Sequence, residues 1–246
     1  MRQITLTIAA LLIAMASDYA EARIDKQDRV LVVVSELQTH GSQDLRGLYS
    51  ATENLTQLTT QAILGDDYRS VYLLKGVFAT LPAFKSRIQN LSKDPTVKAI
   101  DVIFSLHGSP NTVYFREGAV SMLQFLNTMI SPSPSMTAAQ IVTMKRKLRM
   151  MYNLSCFGKT HNNEFRGMGF DVSVGSIGIN ANAEAEYPSV LTQWSFNWKF
   201  IDTFNATNNS VALAIADGPV NIAGMPANSK KVFSGNTNLT ISSDPQ

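Results

Sequence analysis

The sequence has very little cysteine: one residue, Cys156, among 246. Disulfide scaffolds need cysteines in pairs, so an architecture stapled by internal disulfides is excluded. Charged residues are also scarce, at 16%, and the net charge of +2 gives no reason to expect a nucleic-acid or membrane-surface partner. The chain lacks a Gly-x-Gly-x-x-Gly motif after its first predicted strand and lacks a phosphate-binding lysine motif, which counts against nucleotide binding. Its 45% of hydrophobic residues is enough for one sizeable core.

The N-terminus has the pattern of a signal peptide. Arg2 stands ahead of a weakly polar to apolar run over residues 4–16, which is too short to span a bilayer comfortably. Ala20-Glu21-Ala22 supplies the small-x-small site that a signal peptidase needs. We therefore expect residues 1–22 to be a signal peptide, residues 23–246 to be a single domain, and the mature protein to be secreted or periplasmic. No later apolar segment is long enough for a membrane span, so no membrane anchor is expected after cleavage.

Short apolar strands alternate with helical patterns along the chain. Residues 30–35 read VLVVVS, a β-branched run typical of a strand buried on both faces. The residues that follow recur at helical spacing and form one apolar stripe: Leu45, Leu48, Leu55, Leu58 and Ala62. Further strands are predicted at residues 68–74, 97–106, 148–154 and 171–179, with helices at residues 81–91, 119–130, 137–146 and 187–204 and an edge strand at residues 232–241. This alternation predicts an α/β fold with a mainly parallel sheet flanked by helices.

Two chemically reactive side chains directly follow predicted strands. The third strand runs into His107 and Gly108, and the fourth runs into Ser155 and Cys156. In an open α/β sheet, ligands bind outside the carboxyl ends of the strands, and neighbouring strands lie about 4.8 Å apart. A thiol at this edge is a strong nucleophile, and an imidazole can take its proton and later protonate a leaving amine. The backbone N–H groups of Gly108 and Cys156 can form an oxyanion hole, so the residues predict acyl transfer.

This arrangement resembles the clan CD cysteine peptidases, the superfamily of caspases, metacaspases, legumains, gingipains and clostripain. There an apolar strand ending in His-Gly is followed about 50 residues later by an apolar strand ending in a small residue and Cys. Here Cys156 follows His107 by 49 residues. The resemblance implies a caspase-like three-layer fold and an endopeptidase that acts on a peptide or protein substrate through a His107/Cys156 dyad. Leu154 stands where metacaspases and legumains carry an acidic residue that helps shape the specificity pocket, so no branch and no preferred substrate are predicted.

Other interpretations of these residues are open. A cysteine at a strand end is most often buried packing, and a histidine before a glycine is common in turns. The chain could be a non-catalytic caspase-like pseudoenzyme or a secreted protein-binding module. It could also be an unrelated flavodoxin-like domain in which Cys156 is buried far from His107. Two further histidines, His40 and His161, are predicted to lie in solvated surface loops. We expect a monomer that needs no cofactor and no metal.

Overall fold

The computed structural model describes residues 23–245, so the predicted signal peptide lies outside the described residues. Within this range the chain forms a mainly parallel sheet with helices on both faces, which confirms the predicted α/β class. The strands are β1 (Arg29–Glu36), β2 (Ser70–Lys75), β3 (Ala99–Ser109), β4 (Thr112–Phe115), β5 (Gly118–Ser121), β6 (Leu148–Asn153), β7 (Val172–Ser176) and β8 (Lys231–Gly235). The helices are α1 (Arg46–Leu64), α2 (Leu81–Lys93), α3 (Met122–Ile130), α4 (Ala138–Lys147), α5 (Asn162–Met168), α6 (Ala183–Ser195) and α7 (Ser210–Ile222).

The main sheet has the strand order β2-β1-β3-β6-β7-β8. All neighbouring pairs are parallel except β7 and β8, and β8 forms the edge, as predicted for that part of the chain. Strand β3 extends beyond the main sheet into a small antiparallel hairpin with β4 and β5. Because β3 and β6 are parallel neighbours, the residues that follow them emerge at the same sheet edge. In the described residues no helix is both long enough and apolar enough to cross a membrane.

Both faces of the central strands are buried. In β1, Val32 and Val34 pack into one hydrophobic cluster, whereas Leu31 and Val33 pack into a second cluster on the opposite face. The first cluster contains a group of phenylalanines in mutual contact: Phe84, Phe104, Phe115, Phe125 and Phe165. The second contains large aromatic side chains from β6, α6 and the segment after it: Tyr152, Tyr187, Trp194, Phe200 and Phe204. Fully burying a large apolar side chain contributes about 1.5–3 kcal/mol, so these two layers dominate the stability of the fold.

Helix α1 does not bury its apolar stripe, although such a stripe usually faces the core. The four leucines of the stripe are exposed: Leu45, Leu48, Leu55 and Leu58. The buried positions of the helix include Glu53, Thr56 and Thr60. Polar contacts explain this orientation, because the Glu53 carboxylate accepts the backbone N–H of Leu37 at 2.6 Å and the Thr60 hydroxyl lies 2.6 Å from that of Tyr187. Long-range hydrogen bonds therefore set the rotation of α1 against its hydrophobic pattern.

Several element boundaries differ from the sequence prediction. The helix expected over residues 119–130 begins at Met122, because residues 118–121 pair with β4 as strand β5. The helix expected over residues 187–204 is α6, which ends at Ser195. Helix α5 begins in a polar stretch that the pattern assigned to a surface loop. Residues 236–241 do not continue the edge strand, which ends at Gly235.

A buried ion pair joins the two central strands β3 and β6. Asp101 and Arg149 are both fully buried, and the guanidinium donates to the carboxylate from Nη2 and, at 3.2 Å, from Nε. The Tyr68 hydroxyl donates to the same carboxylate at 2.7 Å. Nη1 of Arg149 donates to the carbonyl oxygens of Ile241 and Ser243. The pair thus links β3, β6 and the C-terminal segment at one place.

The ion pair also lies at an irregularity in the sheet. The register between β3 and β6 shifts by one residue between Ile100 and Val102. Asp101 lies at this shift, and its Oδ1 atom accepts the backbone N–H of Met150 at 3.2 Å. A bulge leaves one residue out of the strand ladder. The carboxylate of Asp101 supplies the acceptor that the ladder does not provide there.

We expect Asp101→Ala to lower the free energy of unfolding by about 3–5 kcal/mol, because removing one partner leaves the other charge buried and unpaired. The measurement is urea unfolding followed by circular dichroism. Asp28→Ala is the matched control, since it breaks the Lys98–Asp28 pair, whose lysine is 61% exposed. Equal losses of stability in the two variants would contradict a structural role for the buried pair.

Candidate active site

His107 lies near the end of β3, where this strand leaves the main sheet and pairs with β4. Its Nε2 atom is 2.7 Å from the carbonyl oxygen of Leu37, an oxygen that can only accept a hydrogen bond. Nε2 therefore carries the proton, and Nδ1 keeps the lone pair that a general base needs. The Tyr49 ring packs edge-on against the imidazole at 5.0 Å. Burial lowers the pKa of His107 from its ordinary value, so the imidazole is neutral at pH 7.

Cys156 follows β6 in a short turn. The backbone N–H of Leu154 donates to the carbonyl oxygen of Phe104 at 2.8 Å, which continues the contact with β3 just past the end of β6. Phe157 has a left-handed backbone with φ of 57°, and its N–H donates to the carbonyl oxygen of Gly178 at 2.8 Å. Such a conformation is uncommon for a residue with a large side chain. The turn directs the chain away from the sheet directly after Cys156.

His107 and Cys156 line the same cleft, which has a volume of about 130 Å³. Leu106, the residue before His107 in β3, and Leu154, the residue after β6, also line this cleft. The structure thus brings the histidine and the cysteine expected at these strand ends into one cleft. The shared cleft differs from the arrangement expected for a domain in which Cys156 is buried far from His107.

Gly108 contacts the turn that carries Cys156. A Cβ atom at this position would lie 2.4 Å from the carbonyl oxygen of Cys156 and 2.8 Å from the Cβ of Ser155. Both distances are far below van der Waals contact, so the approach of the two chain segments requires glycine. A Cβ atom placed at Gly108 would also lie 3.3 Å from the backbone nitrogen of Cys156. The backbones of Gly108 and Cys156 thus lie side by side at the edge of the sheet.

His161 corrects a sequence prediction, because it is fully buried rather than solvated. Its Nε2 atom is 3.0 Å from the carbonyl oxygen of Ser109 and must donate, and its Nδ1 accepts from Nδ2 of Asn153 at 2.9 Å. Oδ1 of Asn153 accepts the backbone N–H of Ser155 at 3.1 Å. These three hydrogen bonds connect the segment after His107 with the segment before Cys156. His40, in contrast, is exposed as predicted, and its ring bonds to the carbonyl oxygen of Phe115 at 2.8 Å.

A second buried ion pair lies behind the cleft. Nζ of Lys231 is 2.7 Å from the Glu186 carboxylate and donates to Oδ1 of Asn180 at 2.8 Å and to the carbonyl oxygen of Ser229 at 3.1 Å. All three ammonium protons therefore have acceptors. Asn180 in turn donates to the carbonyl oxygen of Leu154 at 3.0 Å and lines the cleft itself. Asn180 directly follows the fifth predicted strand, so the strand-end rule could have identified it, whereas nothing in the sequence indicates Lys231.

The thiol of Cys156 is held mainly in its neutral form. Burial raises its pKa above the ordinary value, while a backbone hydrogen bond from Asn180 and the positive charge of Lys231 act in the opposite direction. Burial dominates, so the thiol carries its proton at pH 7. An imidazole and a thiol that are both neutral make a dyad in which the proton moves only during reaction.

The sequence matches no protein-family model and no curated protein. Within residues 23–245, no group of three or more His, Cys, Asp or Glu side chains is arranged to hold a metal ion.

The folded protein should lose stability as the pH falls below about 6.5, the ordinary pKa of histidine. Burial lowers the pKa of both His107 and His161, so below this pH the unfolded chain takes up protons that the folded chain resists. The free energy of unfolding then falls by up to about 1.4 kcal/mol per pH unit for each such histidine. Urea unfolding at pH 7.5, 6.0 and 5.0 measures this slope.

In His161→Gln, an amide replaces the titrating ring and still offers a donor to Ser109. We expect this variant to show a smaller loss of stability between pH 7.5 and 5.0 than the wild type. The hydrogen bonds of His161 require a neutral ring in the folded state. If the free energy of unfolding of His161→Gln had the same pH dependence as that of the wild type, this assignment would be contradicted.

Proposed function

We propose that this protein is an exported cysteine endopeptidase of the caspase-like kind, with Cys156 as nucleophile and His107 as general base and acid. One observation carries the proposal: the two side chains share a cleft at the ends of neighbouring parallel strands, and the imidazole has its Nδ1 lone pair free. Nothing else in the cleft wall can act as a nucleophile of comparable strength. The resemblance to clan CD peptidases supports the same pair of residues.

In the first half of the reaction, Sγ of Cys156 attacks the carbonyl carbon of the scissile peptide bond. The thiol proton passes to Nδ1 of His107 as the carbon–sulfur bond forms. The carbonyl oxygen becomes an oxyanion that accepts hydrogen bonds from the backbone N–H groups of Gly108 and Cys156. The carbon–nitrogen bond then breaks, and the proton on Nδ1 goes to the leaving amine, which leaves a thioester on Cys156.

In the second half, a water molecule attacks the thioester carbonyl and gives a proton to Nδ1 of His107. The carbon–sulfur bond breaks, the carboxylic product leaves, and the proton returns to Sγ of Cys156. The hydrogen bond from Nε2 to the carbonyl oxygen of Leu37 holds the ring in one tautomer and stabilises the imidazolium that forms in each half.

A non-catalytic caspase-like protein is the second candidate, and one observation favours it. The thiol is partly buried and its pKa is raised, whereas an activated nucleophile commonly has a lowered pKa. In that case the cleft would present a surface to a protein partner, and His107 would have no effect on the reactivity of Cys156. The pH dependence of thiol alkylation separates the two candidates.

For the peptidase, we expect the rate of Cys156 alkylation by iodoacetamide to rise through a first step below pH 6.5, where His107 loses its proton. A second rise should follow above pH 9, where the thiol itself ionises. His107→Ala should abolish the first step and leave the second. Cys156 is the only cysteine of the chain, so mass spectrometry of the intact protein reads the rate directly.

His40→Ala provides the control, because it removes an exposed histidine that lies outside the cleft wall. This variant should keep the first step. A wild-type profile without any step below pH 9, or one that His107→Ala leaves unchanged, would favour the non-catalytic candidate.

Cys156→Ala should abolish peptide hydrolysis and labelling by thiol-directed peptide probes, with a loss of activity of at least about 10³-fold because no other nucleophile is available. Hydrolysis is measured on a mixture of unrelated peptides by mass spectrometry. Far-ultraviolet circular dichroism should show the same fold in the variant, since alanine removes only one sulfur atom. Residual hydrolysis near the wild-type rate would refute the role of Cys156.

A further inference from the structure

A narrow cavity lies beside the cleft, between helices α1 and α6. Helix α1 contributes Leu55 and Thr56 to its wall, helix α6 contributes Ala183 and Tyr187, and the end of β6 contributes Leu154. Leu154 and Ala183 also line the cleft that contains the dyad. The cavity and the cleft therefore adjoin and share one wall.

The position of the cavity relative to the dyad follows from the strands. Ser105 lies two residues before His107 in β3, and side chains two apart on a strand point to the same side. Ser105 lines both the cavity and the cleft. Leu154, which also lines both, lies two residues before Cys156. Residues two positions before His107 and before Cys156 therefore line the cavity, which places it next to the site where a scissile carbonyl would meet Sγ of Cys156.

We propose that this cavity selects the side chain of the residue that contributes the scissile carbonyl, and that it takes a small uncharged side chain, from alanine to valine in size. This inference rests on the proposed function, because it assigns a substrate class to the same site.

The volume of the cavity limits the size of the side chain that it can take. The centre of a water molecule can occupy about 20 Å³ within it. About 10–15 Å³ by this measure holds one water molecule. The cavity therefore encloses one group a little larger than water, such as a methyl or hydroxymethyl group, and an isopropyl group fits only with one of its methyl groups left at the mouth. Side chains as long as lysine, arginine or phenylalanine exceed it.

The mostly apolar wall of the cavity disfavours a charged substrate side chain. Leu55, Leu154 and Ala183 offer only carbon atoms, and the Tyr187 hydroxyl is already bonded to Thr60 at 2.6 Å. A charged side chain would lose its water inside this mostly apolar wall, because the one carboxylate of the lining, that of Glu184, lies at the exposed rim and not inside. The carboxylate of Glu184 lies at the exposed rim, where it accepts from the Thr52 hydroxyl at 2.5 Å, and it disfavours an acidic side chain further.

The test uses peptide aminomethylcoumarin amides that differ only in the residue before the fluorophore: alanine, valine, leucine, lysine and aspartate. We expect kcat/KM for alanine and valine to exceed that for the other three by about tenfold or more, the usual discrimination of a close-fitting apolar pocket. Leu55→Ala widens the cavity and should raise the leucine-to-alanine ratio of kcat/KM by about tenfold. Leu55 is already 44% exposed, so its truncation should not unfold the protein.

Leu58→Ala is the matched control, because Leu58 is an exposed leucine of the same helix that does not line the cavity. It should leave the ratio at the wild-type value. Preference of the wild type for lysine or aspartate, or equal ratios in Leu55→Ala and Leu58→Ala, overturns the pocket proposal while hydrolysis itself still supports the peptidase. Failure to cleave any of the five substrates also overturns it, and the alkylation profile of Cys156 then shows whether the proposed function falls as well.

Discussion

The ion pair between Asp101 and Arg149 determines how the two central strands meet. It lies where the register between β3 and β6 shifts, and the carboxylate holds the backbone N–H of Met150 at that point. A slip of one residue would turn every later side chain of β6 to the opposite face of the sheet. The meeting of His107 and Cys156 in one cleft therefore depends on a bulge that lies six residues before each of them, at Asp101 in β3 and Met150 in β6. Burying charges costs free energy, and here each partner makes four hydrogen bonds, which offsets that cost.

Burial acts on the two reacting groups in opposite directions and keeps both neutral. It lowers the pKa of the His107 imidazole and raises that of the Cys156 thiol, so a resting thiolate–imidazolium pair is disfavoured. The positive charge of Lys231 and the N–H of Asn180 oppose this effect at the sulfur. These groups are fixed by their own buried hydrogen bonds, so they need no reorganisation when negative charge develops on the sulfur. In the proposed peptidase, these groups would therefore stabilise the charges of the reaction rather than those of the resting state.

The sequence predicted the features that depend on local pattern. The β-branched run of β1 and the His-Gly and Ser-Cys strand ends were sufficient to predict the sheet and the cleft, because strand burial and strand-end position follow from neighbouring residues. The rotation of α1 was not predictable, because it depends on Glu53, whose partner is the backbone after β1. The burial of His161 and the pairing of Lys231 were missed for the same reason. Their hydrogen-bond partners are distant in sequence, and no local sequence pattern indicates which remote group a polar side chain will contact.

The neutral state of Cys156 also bears on the durability of the protein. Peroxides attack the thiolate, so a thiol that keeps its proton is oxidised slowly. The chain has no second cysteine that could condense with a sulfenic acid and return the sulfur to a reducible disulfide within the molecule. The thiol of Cys156 is therefore protected by resisting oxidation, because the chain itself cannot repair an oxidised sulfur through a second cysteine. A nucleophile that ionises only when a substrate is in place would survive in oxidising surroundings where a permanently ionised one would soon be lost.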